Sequence, residues 1–153
     1  MGKYTRKADR LARMGPDERE AFELANRGIR LGAEGRHAES VEQWLLAAEM
    51  AAQSMPEEAI RFWIDSGLAA ALYEVGRYRE SIVAAERARP FCLSLPQPAV
   101  SASLSLARSW LALGETAAAL PYLREVLQWV GEERLPELFD PALHPKLRML
   151  LGD

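Results

Sequence analysis

Side chains able to do chemistry are few and scattered. The 153 residues include two histidines and one cysteine. His37 sits at a break between apolar stretches, in the slot that Tyr78 fills further along, which argues for packing rather than proton transfer. His144, between Leu143 and Pro145, has no Cys or His neighbour to complete a metal set. Cys92 follows Pro90 and Phe91 in an apolar context where thiols are ordinarily inert. A lone cysteine makes no internal disulfide and fits a reducing, cytoplasmic setting. Carboxylate pairs at Glu57-Glu58 and Glu132-Glu133 could share a proton for acid–base work, but both fall at helix starts, where the helix dipole accounts for them. There is no phosphate-binding glycine loop, nucleophile elbow or paired-cysteine motif. The expectation is a protein that is not an enzyme and needs neither metal nor cofactor.

Charge is the next candidate. The net charge is −3, yet Lys3, Arg6, Lys7, Arg10 and Arg13 oppose only Asp9 at the amino terminus, so the rest of the chain is distinctly acidic. On a helix these cations form one stripe, with Tyr4, Ala8 and Leu11 on another side. Such an arm could touch nucleic acid, anionic lipid or an acidic partner. The simpler reading is a solvated arm, or a short helix against the protein's own acidic surface, and it is preferred because a few cations on a terminus are a weak signal. Nucleic acid is disfavoured by the overall charge and by the lack of a DNA-reading motif. No apolar run approaches the ~20 residues of a membrane span, and Arg6 stands where a myristoylation motif needs Ser or Thr.

The elements that position these residues are helices. Pro16, Asp17 and Glu18 mark a helix start, and the apolar spacing predicts helices over about 16–33, 37–53, 57–75, 78–90 or a little past it, 98–113 and 115–130. Ser54-Met55-Pro56-Glu57 reads as a capping box opening the third. Pro90 should end or kink the fourth, because proline lacks an N–H and crowds the preceding turn. Leu95-Pro96-Gln97-Pro98 is the evident connector, with Pro98 in the first turn of the fifth helix; Pro121 is tolerated near the start of the sixth. Residues 132–153 should cap the array and cover Trp129, with Pro145 opening a short helix; a docking peptide is the rival reading of this tail.

The helices repeat. Gly35-Arg36-His37-Ala38-Glu39-Ser40 matches Gly76-Arg77-Tyr78-Arg79-Glu80-Ser81, and Gly114-Glu115-Thr116-Ala117-Ala118-Ala119 is a looser copy. Counted outward from each glycine, Gly28, Ala69 and Ala107 share one slot, and Leu31, Leu72 and Trp110 another. Ser40, Ser81 and Ala119 share a third; Trp44, Ala85 and Leu123 a fourth; Ala47, Ala88 and Val126 a fifth. The period of about 40 residues is that of a helical array. Small residues let helix backbones approach where they cross, and large ones fill the grooves beside them.

This small–large–small spacing over residues 20–130 resembles the tetratricopeptide repeat family, with units longer than the family's usual ~34 residues. Asp65 and Ser103 stand where that pattern has a large apolar residue, and Arg27 where it has leucine. The resemblance implies an all-α, antiparallel array of helical hairpins. Residues 1–15 would be a basic arm, 16–131 three hairpins with six main helices, and 132–153 a capping helix, all in one domain. It also implies a concave groove lined by the first helix of each hairpin. By offset from the glycines, that groove receives Phe22, Ala25 and Ile29 from the first unit and Trp63, Ser66, Ala70 and Tyr73 from the second. The third contributes Ser101, Leu104, Arg108 and Leu111. Phe62 and Trp63 would exchange roles if the third helix were rotated by one residue, and packing against neighbouring helices is the alternative use of these aromatics. The function implied is a cytoplasmic, non-catalytic module, adaptor or chaperone, binding a protein or peptide. Alternatives are an immunity protein that occludes a toxin, and a regulator whose arm touches nucleic acid.

Overall fold

The computed structural model describes residues 14–152; the basic segment Lys3–Arg13 lies outside the described residues. Three hairpins follow in order: α1 (Pro16–Ala33) with α2 (His37–Ser54), α3 (Ala59–Glu74) with α4 (Tyr78–Ser94), and α5 (Ser101–Ala112) with α6 (Thr116–Val130). Two short 3₁₀ turns, Leu135–Leu138 and Pro141–Leu143, lead into α7 (His144–Leu150). No strand occurs among the described residues. Helix α3 packs closely against both α1 and α5, whereas the backbones of the second helices of successive hairpins lie further apart. The array therefore curves with α1, α3 and α5 on its inner face.

The repeated elbow has a physical reason at each residue. Gly35, Gly76 and Gly114 have φ of 78°, 80° and 78°, the left-handed geometry glycine adopts at little cost. Each closes a Schellman motif: the N–H groups of Arg36, Arg77 and Glu115 donate to the carbonyls of Leu31, Leu72 and Trp110. The Arg36 side chain forks onto Glu39 and that of Arg77 onto Glu80, exposed pairs that fix the elbow more than they stabilise it. The Ser40 and Ser81 hydroxyls donate across the hairpin to the Gly28 and Ala69 carbonyls at 2.6 and 2.7 Å. Those bonds require the small partners at each crossing. Gly76→Val is expected to cost roughly 1–2 kcal/mol, because a side chain must enter left-handed space. A thermal melt checks this, and an unchanged Tm would contradict the elbow geometry.

Two of the departures from the apolar repeat pattern are paired polar groups. Buried Asp65 accepts from Arg87 Nη2 at 3.2 Å and Nε at 3.3 Å. The corresponding slot of the third hairpin is Ser103, whose hydroxyl donates to Glu125. Arg89 donates to the same carboxylate at 2.6 and 3.0 Å and joins the second hairpin to the third. Arg27 is exposed on α1 at the open edge of the array, while Leu68 and Leu106 in its equivalent slots are buried. Burial alone would raise the Glu125 pKa, but the hydrogen bonds from Arg89 and Ser103 outweigh it and hold the carboxyl below its ordinary value. A depressed carboxyl stabilises the fold above its unfolded pKa of about 4.3, and that contribution is lost as pH falls through the folded value. The stability gap between wild type and Glu125→Gln should therefore be wider at pH 6 than at pH 3. Thermal melts at both values check it; a constant gap would contradict the pairing.

Several local expectations are corrected. Ser54 is the last residue of α2 rather than a cap, and Glu58, without a side-chain cap bond, precedes α3. The turn between them is held by Arg61 Nη1, which donates to the Pro56 carbonyl at 2.8 Å. Helix α4 passes through Pro90 to Ser94, carrying the apolar Phe91 and buried Cys92 into the packing. Pro98 lies before α5, whose N-cap is Val100. In the tail, Leu135, Phe139 and Leu147 are buried with Leu111, Leu123 and Val126, but Trp129 remains half exposed on the far side of α6.

Candidate partner-binding groove

The inner face divides into two clusters. At its amino-terminal end, where α1 and α3 begin, the Trp63 ring stacks on Phe22 with centroids 5.7 Å apart. Its other edge meets Trp44 at 5.9 Å. Trp63 keeps 39% of its surface in solvent despite these contacts. Phe62 stacks on Phe91 at 5.3 Å and is less exposed than Trp63. Beside the stack lies an apolar cleft of about 450 Å³ lined by Met14, Glu18, Phe22, Ala59, Ile60, Trp63 and Phe91.

At the elbow end the face is occupied by the chain's own tail. Arg108 Nε donates to the Leu138 carbonyl at 2.8 Å, and Nη2 donates to the same oxygen. The guanidinium lies 5.6 Å from the Tyr73 ring centroid and 5.9 Å from that of Phe139. Burial raises the Tyr73 hydroxyl pKa above its ordinary value, against the opposing charge of Arg108. Leu104 and Leu111 pack in the cluster that holds Leu135 and Phe139. His144 Nε2 lies 2.8 Å from the Pro136 carbonyl, so a proton on that nitrogen ties α7 to the first turn of the tail.

The residues assigned by offset thus fall into distinct places. Phe22, Ile29, Trp63, Ala70 and Ser101 reach solvent, Tyr73 in part. Ala25 is fully buried between helices, and Leu111 is buried under the tail. Ser66 is also buried; its hydroxyl hydrogen-bonds with that of Ser101 at 2.8 Å, and it also contacts the Cys92 thiol. Burial pushes that thiol's pKa up, consistent with an unreactive cysteine. Arg108, the one cation assigned to the groove, is engaged by the Leu138 carbonyl. Sequence offset missed Met14, Ala59, Ile60 and Phe91. Phe91 was hidden because a proline before it suggests a helix end, although the apolar Phe91-Cys92-Leu93 run signals continued packing.

No family model and no curated protein matches the chain. Among solved structures, a TPR-like protein of Chlorobium tepidum matches with a TM-score of 0.67 and 22% identity, over 88% of this chain and 95% of that one. Together with the three elbows, this defines a tetratricopeptide-repeat-like fold. Among the described residues, no helix is long and apolar enough to cross a membrane, and no group of three or more His, Cys, Asp or Glu could hold a metal ion.

Proposed function

We infer that the chain is a non-catalytic protein-binding module of the cytoplasm, an adaptor or chaperone, which holds a partner protein or peptide on its inner face. The observation that carries this reading is Trp63. It is supported from behind by Phe22 and Trp44, yet its ring remains substantially open beside an apolar cleft. Large aromatic side chains in such settings concentrate binding energy. Ile29 extends the open face towards the elbows. The tail, taken as the cap of the array, covers the third unit and leaves the first two for the partner.

Affinity capture from the native cytoplasm at physiological salt tests the reading. A retained protein partner is the expected result, and recovery of none would contradict it. Modest binding of many apolar segments would indicate a chaperone, and one defined partner an adaptor. A single basic protein held in a tight stoichiometric complex, and released by charge reversal at the acidic helix starts, would indicate the inhibitory alternative.

A further inference from the structure

The tail lies on the inner face much as a bound peptide would. Arg108 of α5 donates to the Leu138 carbonyl at 2.8 Å, and the buried Phe139 ring sits against the same guanidinium. Leu104 and Leu111 of the third hairpin share the cluster that holds Phe139 and Leu135. Tyr73 of the second hairpin packs on Arg108, and the Asp140 carboxylate is near enough to bear on its hydroxyl. A main-chain carbonyl is a group that every peptide offers, so the Arg108 clamp reads backbone; the leucine and the ring four residues later give the segment its identity. Among the described residues of the tail, Leu135, Phe139 and Leu147 alone are buried. The chain turns into this segment at Gly131, whose φ of 84° and ψ of 161° lie in a region essentially reserved to glycine.

Resting on the protein-binding reading above, we propose that the Tyr73–Arg108 end of the inner face is a second peptide site, shut by the chain's own tail. It opens to a partner segment that presents a leucine and an aromatic ring four residues apart. In the closed state the Leu138 carbonyl and the Leu135 and Phe139 side chains take the places of the partner's backbone and side chains, and Gly131 is the hinge. The tethered tail faces the site at an effective concentration of about a millimolar. A weak segment therefore binds only in proportion to the fraction of chains that are open. A partner anchored first at Trp63 gains the same advantage of tethering and displaces the tail. The third unit is gated rather than lost to binding.

The test uses the full chain and a labelled glycine–serine dodecapeptide carrying one leucine and one phenylalanine four positions apart, followed by fluorescence anisotropy. Gly131→Ala strains the turn into the tail, while its added Cβ meets nothing within 4 Å, so it opens the site without altering it. The peptide is expected to bind Gly131→Ala at least ~10-fold more tightly than the wild type. Arg108→Met in that background should remove the gain, as should alanine in place of the peptide's leucine or phenylalanine. A lowered Tm with no gain in binding would overturn the proposal, because that is the behaviour of a tail that only caps the array. Hydrogen exchange of the wild type gives an independent reading if the variant folds poorly. Amides of residues 135–150 should exchange at least ~10-fold faster than those at the centres of α3 and α5, and faster still with the peptide at millimolar concentration. Equal protection of tail and helices, or a tail indifferent to the peptide, would overturn the gate. Binding of a peptide copied from residues 132–143, but not of the leucine–phenylalanine peptide, would reserve the site for the tail itself. Dimers of Gly131→Ala formed by exchanged tails would assign it to a second copy. Either result overturns the assignment to a partner, while the capture experiment decides the broader reading separately.

Discussion

Gly67→Ala is expected to destabilise the protein, although alanine is the better helix former by about 1 kcal/mol. The reason is the Trp44 indole, which is wedged between two glycines on neighbouring helices. A Cβ added at Gly67 would lie 2.2 Å from Trp44 Cη2, and one at Gly28 would lie 2.7 Å from Trp44 Nε1. Neither ring atom can yield, because Trp44 is 5% exposed and locked between the first and second hairpins. Overpacking of this kind costs roughly 1–3 kcal/mol. Trp44→Ala removes the wedge and should itself cost about 3–5 kcal/mol, lowering Tm by roughly 6–20 °C for a chain of this size. In that background Gly67→Ala should reverse sign and stabilise by about 1 kcal/mol, because only the helix propensity remains. Thermal melts of the four proteins of this cycle check the coupling. Additive effects would mean that the ring does not occupy the notch.

Much of this architecture was legible because backbone demands repeat. The three glycines announce left-handed elbows, and the Gly28/Ser40 and Ala69/Ser81 slots announce close helix crossings, so the hairpins and most helix ends follow from spacing alone. Helix ends controlled by proline were less legible. Pro90 lies inside a helix whose flanking residues are held by the packing of Phe91 and Cys92, and tertiary contacts outweigh the lost N–H there. The notch at Gly67 could not be seen either, since its meaning depends on a tryptophan from the preceding hairpin.

The inner face was legible as a set of positions, but not in which of them would be free. Periodicity places Ala25, Ser66 and Leu111 on the face; depth depends on how closely neighbouring helices and the tail approach, which no single-helix pattern encodes. Arg108 is the clearest case. Its offset suggested a cation for a ligand, whereas its partner is a carbonyl 30 residues further along the chain.

Trp63→Ala is expected to have the largest effect on binding. Its ring rests on Phe22 and Trp44, so truncation removes partial packing and should cost about 1–2 kcal/mol of stability. As the exposed centre of the aromatic cluster, it should account for ~2 kcal/mol or more of partner affinity, roughly a 30-fold loss. A purely structural tryptophan gives the opposite order, with stability falling by ~3–5 kcal/mol and affinity lost only through unfolding.

Melting temperature and affinity for the captured partner, measured on the same Trp63→Ala protein, test the central claim most directly. The account predicts a small drop in Tm, by a few degrees, with affinity at least ~30-fold weaker. A variant that melts far earlier, yet whose folded fraction binds as tightly as the wild type, would contradict it.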